Sequence, residues 1–430
     1  MTTTEILHSL RDYESRNVTF AERDGSWPIS WERAKGTSVW DATGKKYVDL
    51  TSAFGVAATG HANPNVVKAG QKQMARLLHA MGDVHPHARK AELARELSRI
   101  TFERWTNHAS SAKTIFCNSG FEAVEAALKT AILATGKKGV LAFTGGYHGL
   151  GYGTLNVTHR EFFREPFLPQ LREFGKFAPF PNWRNDLATT ESLIWHFLRR
   201  RRIGAVLVEP VQARGGMVVP PPQFLPILRR LCDAFGALLI VDEVYTGFGR
   251  TGKWFACEHS GVVPDIICLG KALTGGFPLS ACVGRSDMMD EAWPASEGEA
   301  MHTSTFLGHP VGCAMALAQI KEIRQLDLCK RSAELGSFLL TGLSSVEHSR
   351  LKTSARGLGL MAGLKLNLPN GNPATAETFK VVKKMLQRGY ILLPEGGHGN
   401  VLSFTPPLTI GKNQLAKAVE VLSKTLNEIK

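Results

Sequence analysis

Short, unbroken apolar runs closed by turn residues recur through the middle of the chain. Residues 237–241 (ALLIV) run into Asp242 and Glu243, and residues 266–269 (IICL) run into Gly270 and Lys271. Similar runs lead into Asn118-Ser119-Gly120, into the Gly-rich turn that follows residue 143, and into Glu209-Pro210. Runs of this kind predict strands buried on both faces, as in a parallel sheet. Helical spacing fills the gaps, as in FEAVEAALKTA after Gly120 and FLPILRRLCDAFG before residue 237. Strand and helix alternating from about 115 to 285 predict a right-handed parallel α/β sheet. Before it, residues 39–50 (VWDATGKKYVDL) alternate as a hairpin turning at Thr43-Gly44, and a helical pattern covers 66–78. From about 325 onward the pattern reads helix, strands, helix, with a last strand and turn in 397–410. The expected organisation is an N-terminal arm (1–50) joining a small domain, a large domain (51–324), and a smaller α+β domain (325–430). Repeats and low-complexity segments are absent.

Composition narrows the function classes. A length of 430 residues with 43% hydrophobic and 21% charged residues suits a globular protein with a sizeable core. The N-terminal segment MTTTEILHSLRDYESRN is polar and lacks the apolar stretch of a signal peptide, and no apolar run reaches membrane-span length. The seven Cys are scattered without a CxxC pair, which fits reduced thiols and a cytoplasmic setting. A net charge of +13 raises nucleic-acid binding, but the densest basic cluster, Arg199 to Arg202, follows the helical pattern ESLIWHFL and reads as a solvated helix end. Neither a nucleic-acid nor a membrane partner is therefore expected. Three His in HAMGDVHPH (79–87) lack the spacing of a metal site, so no metal is expected.

The chemistry gathers at strand ends, where open α/β sheets bind ligands. Asp242 and Lys271 each stand at such an end, 271 − 242 = 29 residues apart, room for one connection between strands. A Lys amine for a Schiff base and a carboxylate for a pyridine nitrogen are what pyridoxal 5'-phosphate (PLP) requires. A Ser-Gly pair opening a helix, Ser119-Gly120, offers free N–H groups to an anion such as its phosphate.

The wording of these stretches is more specific than their spacing. DEVYTGFGRTG (242–252) followed by LGKALTGGFPLSACVG (269–284) closely resembles the class III aminotransferases, of the ornithine and omega-amino-acid type, and the likeness runs from about residue 20 to the end. The resemblance implies the fold type I architecture of PLP-dependent transferases: a mainly parallel central sheet in a large domain with a smaller α+β domain. It implies transfer of an amino group from an amine or amino acid to a keto acid, by a homodimer with shared active sites. Lys271 and Asp242 are then the catalytic pair, Tyr147 and Val244 the two faces of a sandwich around the cofactor ring, and Glu209 the acid of the Glu-Pro pair. Ser119, Gly120 and Phe121 fall at the phosphate, His148 near the ring, and Thr305 where relatives reach into the neighbouring subunit. Phe121 replaces a hydroxyl residue common in relatives, and Tyr245 a Gln beside the phenolic oxygen. Phe54 falls near the substrate, or is a packed core residue.

At the substrate end the chain departs from the family. Ser403 stands where relatives that use glutamate or 2-oxoglutarate carry a carboxylate-binding Arg, and Arg214 stands where they carry the Glu that masks it. Arg214 either takes over the substrate carboxylate or pairs with a structural acid. A racemase or epimerase of the same fold needs the same Lys and Asp, and a non-catalytic binding protein on this scaffold would have no reason to keep them.

Overall fold

A computed structural model describes residues 1–22, 25–181, 187–200 and 202–429. The N-terminal hairpin consists of β1 (Trp31–Lys35), β2 (Ser38–Asp41) and β3 (Lys46–Asp49). The apolar runs that follow become β4 (Ala112–Cys117), β5 (Gly139–Phe143), β6 (Gly175–Ala178), β7 (Ile203–Val208), β8 (Leu238–Asp242), β9 (Ile266–Leu269) and β10 (Ser280–Arg285). They form one seven-stranded sheet in the order β4-β10-β9-β8-β7-β5-β6.

Strand residues in this sheet alternate between two cores. Val206, Val208, Leu239 and Val241 join one hydrophobic cluster. Ala205, Leu207 and Ile240 join the other, beneath the helix Gly120–Thr135, which contributes Ala123, Val124 and Ala127. Two buried faces explain why the runs are continuous instead of alternating. All of β4, β5, β7, β8 and β9 therefore end at the same edge of the sheet, as parallel strands must.

One strand is antiparallel in this otherwise parallel sheet, in keeping with the expected mainly parallel arrangement. β10 pairs antiparallel with both β4 and β9. The reason lies in the connection: only residues 270–279 separate β9 from β10. A parallel return needs a crossover of a dozen or more residues, usually a helix. The consequence is useful, because Ser280 begins β10 at the edge where the other strands finish. Its hydroxyl donates to the Ser119 carbonyl at 2.6 Å and ties down the turn before the helix.

The C-terminal part supplies β11 (Lys352–Leu358), β12 (Met361–Asn367), β13 (Tyr390–Ile391), β14 (Leu393–Glu395) and β15 (Val401–Phe404). Four of these make an antiparallel sheet, β11-β12-β15-β14, while β13 pairs parallel with β3 and so joins the N-terminal hairpin. The first long helix spans Pro64–Arg76, starting earlier than the apolar spacing indicates, because the Asn63 side chain accepts from the N–H groups of Asn65 and Val66. The helix Leu187–Arg199 ends on the basic cluster as expected, although Arg201 lies outside the described residues. The seven Cys are free thiols, six of them buried. Among the described residues no helix is long and apolar enough to cross a membrane, and no His, Cys, Asp and Glu group could hold a metal ion.

Candidate active site

A cavity of about 370 Å³ opens at the carboxyl edge of the large sheet, lined among others by Asp242, Lys271, Glu209, Tyr147, Val244 and Arg214. Residues up to 271 − 120 = 151 positions apart in sequence, Gly120 to Lys271, meet there because parallel strands all finish on one side.

Asp242 is the last residue of β8 and is buried. Its Oδ1 accepts from the N–H of Val244 at 3.1 Å, and its Oδ2 lies 2.7 Å from Nδ1 of His148. His148 is itself buried, and its N–H donates to Thr158 Oγ1 at 2.9 Å. A buried carboxylate with two donors is held in one orientation and keeps lone pairs for a third. The sequence placed His148 near the ring without a partner. Its contact with Asp242 joins the turn after β5 to the end of β8.

Glu209 follows β7 directly. Its carboxylate accepts from the N–H groups of Tyr147 (2.9 Å) and Ala213 (3.2 Å), and so fixes the turn carrying Tyr147 and the loop carrying Arg214. Burial pushes its carboxyl up to about 7; the His148 ring opposes the rise and the Asp242 charge adds to it. Lys271 follows β9 in a left-handed backbone conformation, φ +43°, that a non-Gly residue adopts only under constraint. Its amine stands 4.6 Å from the centre of the Tyr245 ring. Desolvation lowers its pKa, with Asp242 and Glu209 acting against the shift. A lowered value leaves more of the amine neutral and nucleophilic.

The helix Gly120–Thr135 aims its N-terminus at this cavity, with Gly120 and Phe121 in the lining. The Glu122 carboxylate accepts from the N–H groups of Asn118 (2.6 Å) and Ser119 (3.1 Å). The Ser119 hydroxyl is buried and has no hydrogen-bond partner. A Cβ on Gly120 would come within 2.9 Å of Val244, so only glycine lets the helix end approach β8 this closely. An orphaned hydroxyl at a long helix N-terminus, beside a fixed carboxylate and an amine of lowered pKa, fits a phosphorylated, protonated heteroaromatic ring.

The remaining expected residues divide. Arg214 reaches the cavity, its guanidinium 4.9 Å from the Tyr147 ring centre and its Nε 3.8 Å from Glu395 Oε2. Phe54 is 53% exposed and lies outside the cavity lining, on a left-handed backbone (φ +62°). Thr305 is exposed, next to Ser304, whose hydroxyl accepts from Asn118 Nδ2 at 3.3 Å. Ser403, expected at the substrate, is buried in β15 and does not line the cavity; its hydroxyl donates to the Leu393 carbonyl at 3.1 Å. Tyr245 faces Lys271 and sets its hydroxyl 3.3 Å from Thr405 Oγ1. Its ring fits because residue 55 is glycine: a Cβ there would sit 2.9 Å from Tyr245 Cε1. Glu395 escaped the sequence reading. The only signal was a carboxylate closing an otherwise apolar run, ILLPE.

Known proteins resemble this chain over nearly its whole length. The family model described as Aminotransferase class-III matches residues 19–426. An acetylornithine aminotransferase of Methanosarcina mazei is 38% identical, over 97% of this chain and 96% of that protein. A 5-aminovalerate aminotransferase of Pseudomonas aeruginosa is 36% identical, over 94% of each. Among solved structures, an amine transaminase from an uncultivated Pseudomonas species, in its PLP-bound form, superposes with a TM-score of 0.87 at 27% identity, covering 97% of this chain and 99% of that one. That these relatives are aminotransferases favours transfer over racemisation. The chain thus belongs to the class III aminotransferases, fold type I enzymes that use PLP to move an amino group from an amine or amino acid to a keto acid.

Proposed function

We infer that Lys271 and Asp242 carry this reaction, and that one observation supports the assignment above the rest: a desolvated amine and a His-fixed carboxylate meet in one cavity. When bound, PLP supplies a sink for the electron pair left as the substrate Cα–H bond breaks. Asp242 would hold the proton on the ring nitrogen, and His148, with Nδ1 protonated, keeps Asp242 oriented. The Ser119 hydroxyl and the Gly120 helix end receive the phosphate. Tyr147 and Val244 confine the ring, and Glu209 positions Tyr147 through its backbone N–H. Lys271 would anchor the cofactor and hold or release a proton at its Nζ beside the substrate carbon, a task suited to an amine of lowered pKa.

Arg214 takes the substrate carboxylate. It is a guanidinium at the cavity wall, able to bind both carboxylate oxygens, while Ser403 has no free role there. The names of the two relatives, acetylornithine and 5-aminovalerate, both denote donors that carry a carboxylate. Thr305 completes the phosphate site of a second copy, which makes the active species a dimer; a fully active monomer in sedimentation would remove this part. The test of the whole assignment is Lys271→Ala. Turnover should vanish while the cofactor's phosphate still binds, and substantial transamination by that variant would end the reading.

A further inference from the structure

Tyr245 offers its ring, and not its hydroxyl, to the reacting end of the cavity. It belongs to the lining, and the Lys271 amine stands over its ring, 4.6 Å from the centre. The phenol proton is used elsewhere. Thr405 is buried, and its hydroxyl donates to the Thr51 carbonyl at 3.1 Å. A hydroxyl has one proton to donate. In the 3.3 Å contact between Tyr245 and Thr405 Oγ1 the donor is therefore Tyr245. Burial pushes the phenol up to about 12, so it keeps that proton at neutral pH. A tyrosine committed in this way has no proton left for a substrate or a cofactor.

The backbone packed against the ring is strained. Ser52, Ala53 and Phe54 follow one another in the left-handed region, at φ +49°, +48° and +62°, a conformation that non-glycine residues adopt only under constraint. Asp49 supplies much of the constraint, its carboxylate accepting from the N–H groups of Thr51 (2.8 Å) and Ala53 (3.0 Å). The Ser52 hydroxyl adds to it by donating to the Thr405 carbonyl at 2.7 Å. This turn delivers Gly55 to the Tyr245 ring, too close for a side chain. Lys271, the other partner of the contact, is itself left-handed. Strain maintained on both sides of one contact points to a contact whose geometry matters.

Burial is the largest influence on the amine and disfavours its charge, as does Arg214, whereas Asp242 at the end of β8, Glu209 after β7 and Glu395 on β14 favour it. Among the described residues the amine makes no hydrogen bond and no ion pair. A protonated amine without a hydrogen bond is stabilised by whatever negative potential lies against it, and an aromatic face supplies one. We propose that Tyr245 is a positioning residue whose ring face is the platform of the Lys271 ammonium, favouring the protonated amine and holding it in one place. This rests on Lys271 being the reacting amine. It assigns the work to the ring face, so phenylalanine should serve as well as tyrosine, and an electron-poor ring of nearly the same shape should not.

The test compares Tyr245→Phe with Tyr245→3,4,5-trifluorophenylalanine, in which fluorine withdraws most of the negative potential from the ring face. Both keep a ring packed against Gly55. The full chain is loaded with pyridoxamine 5'-phosphate, which has no carbonyl to engage Lys271. Brief acetic anhydride labelling across pH, read on the Lys271 peptide by mass spectrometry, then gives the pKa of the amine. Tyr245→Phe should titrate like the parent. The trifluorinated ring should lower the pKa by about one pH unit, so that labelling below the pKa runs about tenfold faster. An unchanged or raised pKa with the trifluorinated ring overturns the platform. A shift already complete in Tyr245→Phe overturns it too, because the hydroxyl and not the ring would then be responsible. Borohydride reduction of the PLP-loaded parent separates this from the reading beneath it. PLP fixed to Lys271 leaves that lysine as the reacting amine even where the platform fails, and PLP fixed to another lysine overturns both.

Discussion

Replacing His148 probes the contact that most separates this site from a chance meeting of Lys and Asp. Its Nδ1 lies 2.7 Å from Asp242 Oδ2, and both side chains are buried. His148→Ala leaves Asp242 with the Val244 N–H as its fixed donor (3.1 Å). A hydrogen bond to a buried charge contributes about 1.5–3 kcal/mol. That loss makes Asp242 a poorer anion and weakens its hold on the ring proton. At 1.36 kcal/mol per factor of ten, kcat should fall by about 10- to 150-fold. His148→Asn places an amide nitrogen close to where Nδ1 stands and should recover most of the loss, which a purely space-filling histidine would not. The assay is the single-turnover reaction of the PLP-loaded enzyme with saturating donor, followed through the cofactor's visible absorption across pH. The band's pH dependence should shift in His148→Ala and return in His148→Asn. If His148→Ala reacts within about threefold of the parent, with melting temperature and cofactor content unchanged, then His148 does not support Asp242 and the argument fails.

Other perturbations act on separate links. Asp242→Asn keeps the shape but loses the charge that holds the ring proton; transition-state stabilisation should drop by several kcal/mol, of order ~3 or more, and an Asn variant within tenfold of the parent would contradict that role. Gly55→Ala puts a Cβ 2.9 Å from Tyr245 at a backbone φ of +80°; the melting temperature should fall by an amount corresponding to about 1–3 kcal/mol, and unchanged melting would show that the segment relaxes freely. Glu209 titrates at about 7 in the folded chain against an ordinary 4.5, so between those values the folded state holds the extra proton. Its contribution therefore makes the cofactor-free protein less stable as pH rises from 4.5 to about 7, with a plateau above. Glu209→Gln should flatten that part of the denaturation profile, and an unaltered pH slope would mean the carboxyl titrates normally.

How much of this was legible in the sequence depended on whether the signal was local. The strand ends at Asp242 and Lys271 announced themselves, because a strand buried on both faces must be apolar until the residue where it leaves the core. Ser119-Gly120 was equally plain, since the helix start and its anion-binding capacity are written in neighbouring residues. The antiparallel β10 was not read, although the ten residues before it already excluded a crossover helix. Pairs that close across the fold had no such signal. His148 meets Asp242 from 94 positions away, and Arg214, on the loop after β7, meets Glu395 at the end of β14 in a different sheet. Packing decides their chemistry: in water the same residues would be solvated and unpaired. Ser403 shows the reverse, a position singled out by its place in the chain whose hydroxyl the β-sheet turned toward a backbone carbonyl. The sequence by itself determined the sheet, the carboxylate and amine at its strand ends, and the helix that starts beside them, because each follows from a short stretch of residues. Only the tertiary structure decided what orients Asp242 and what stands behind Arg214, because those partners come from separate segments, brought together by packing that no local pattern encodes.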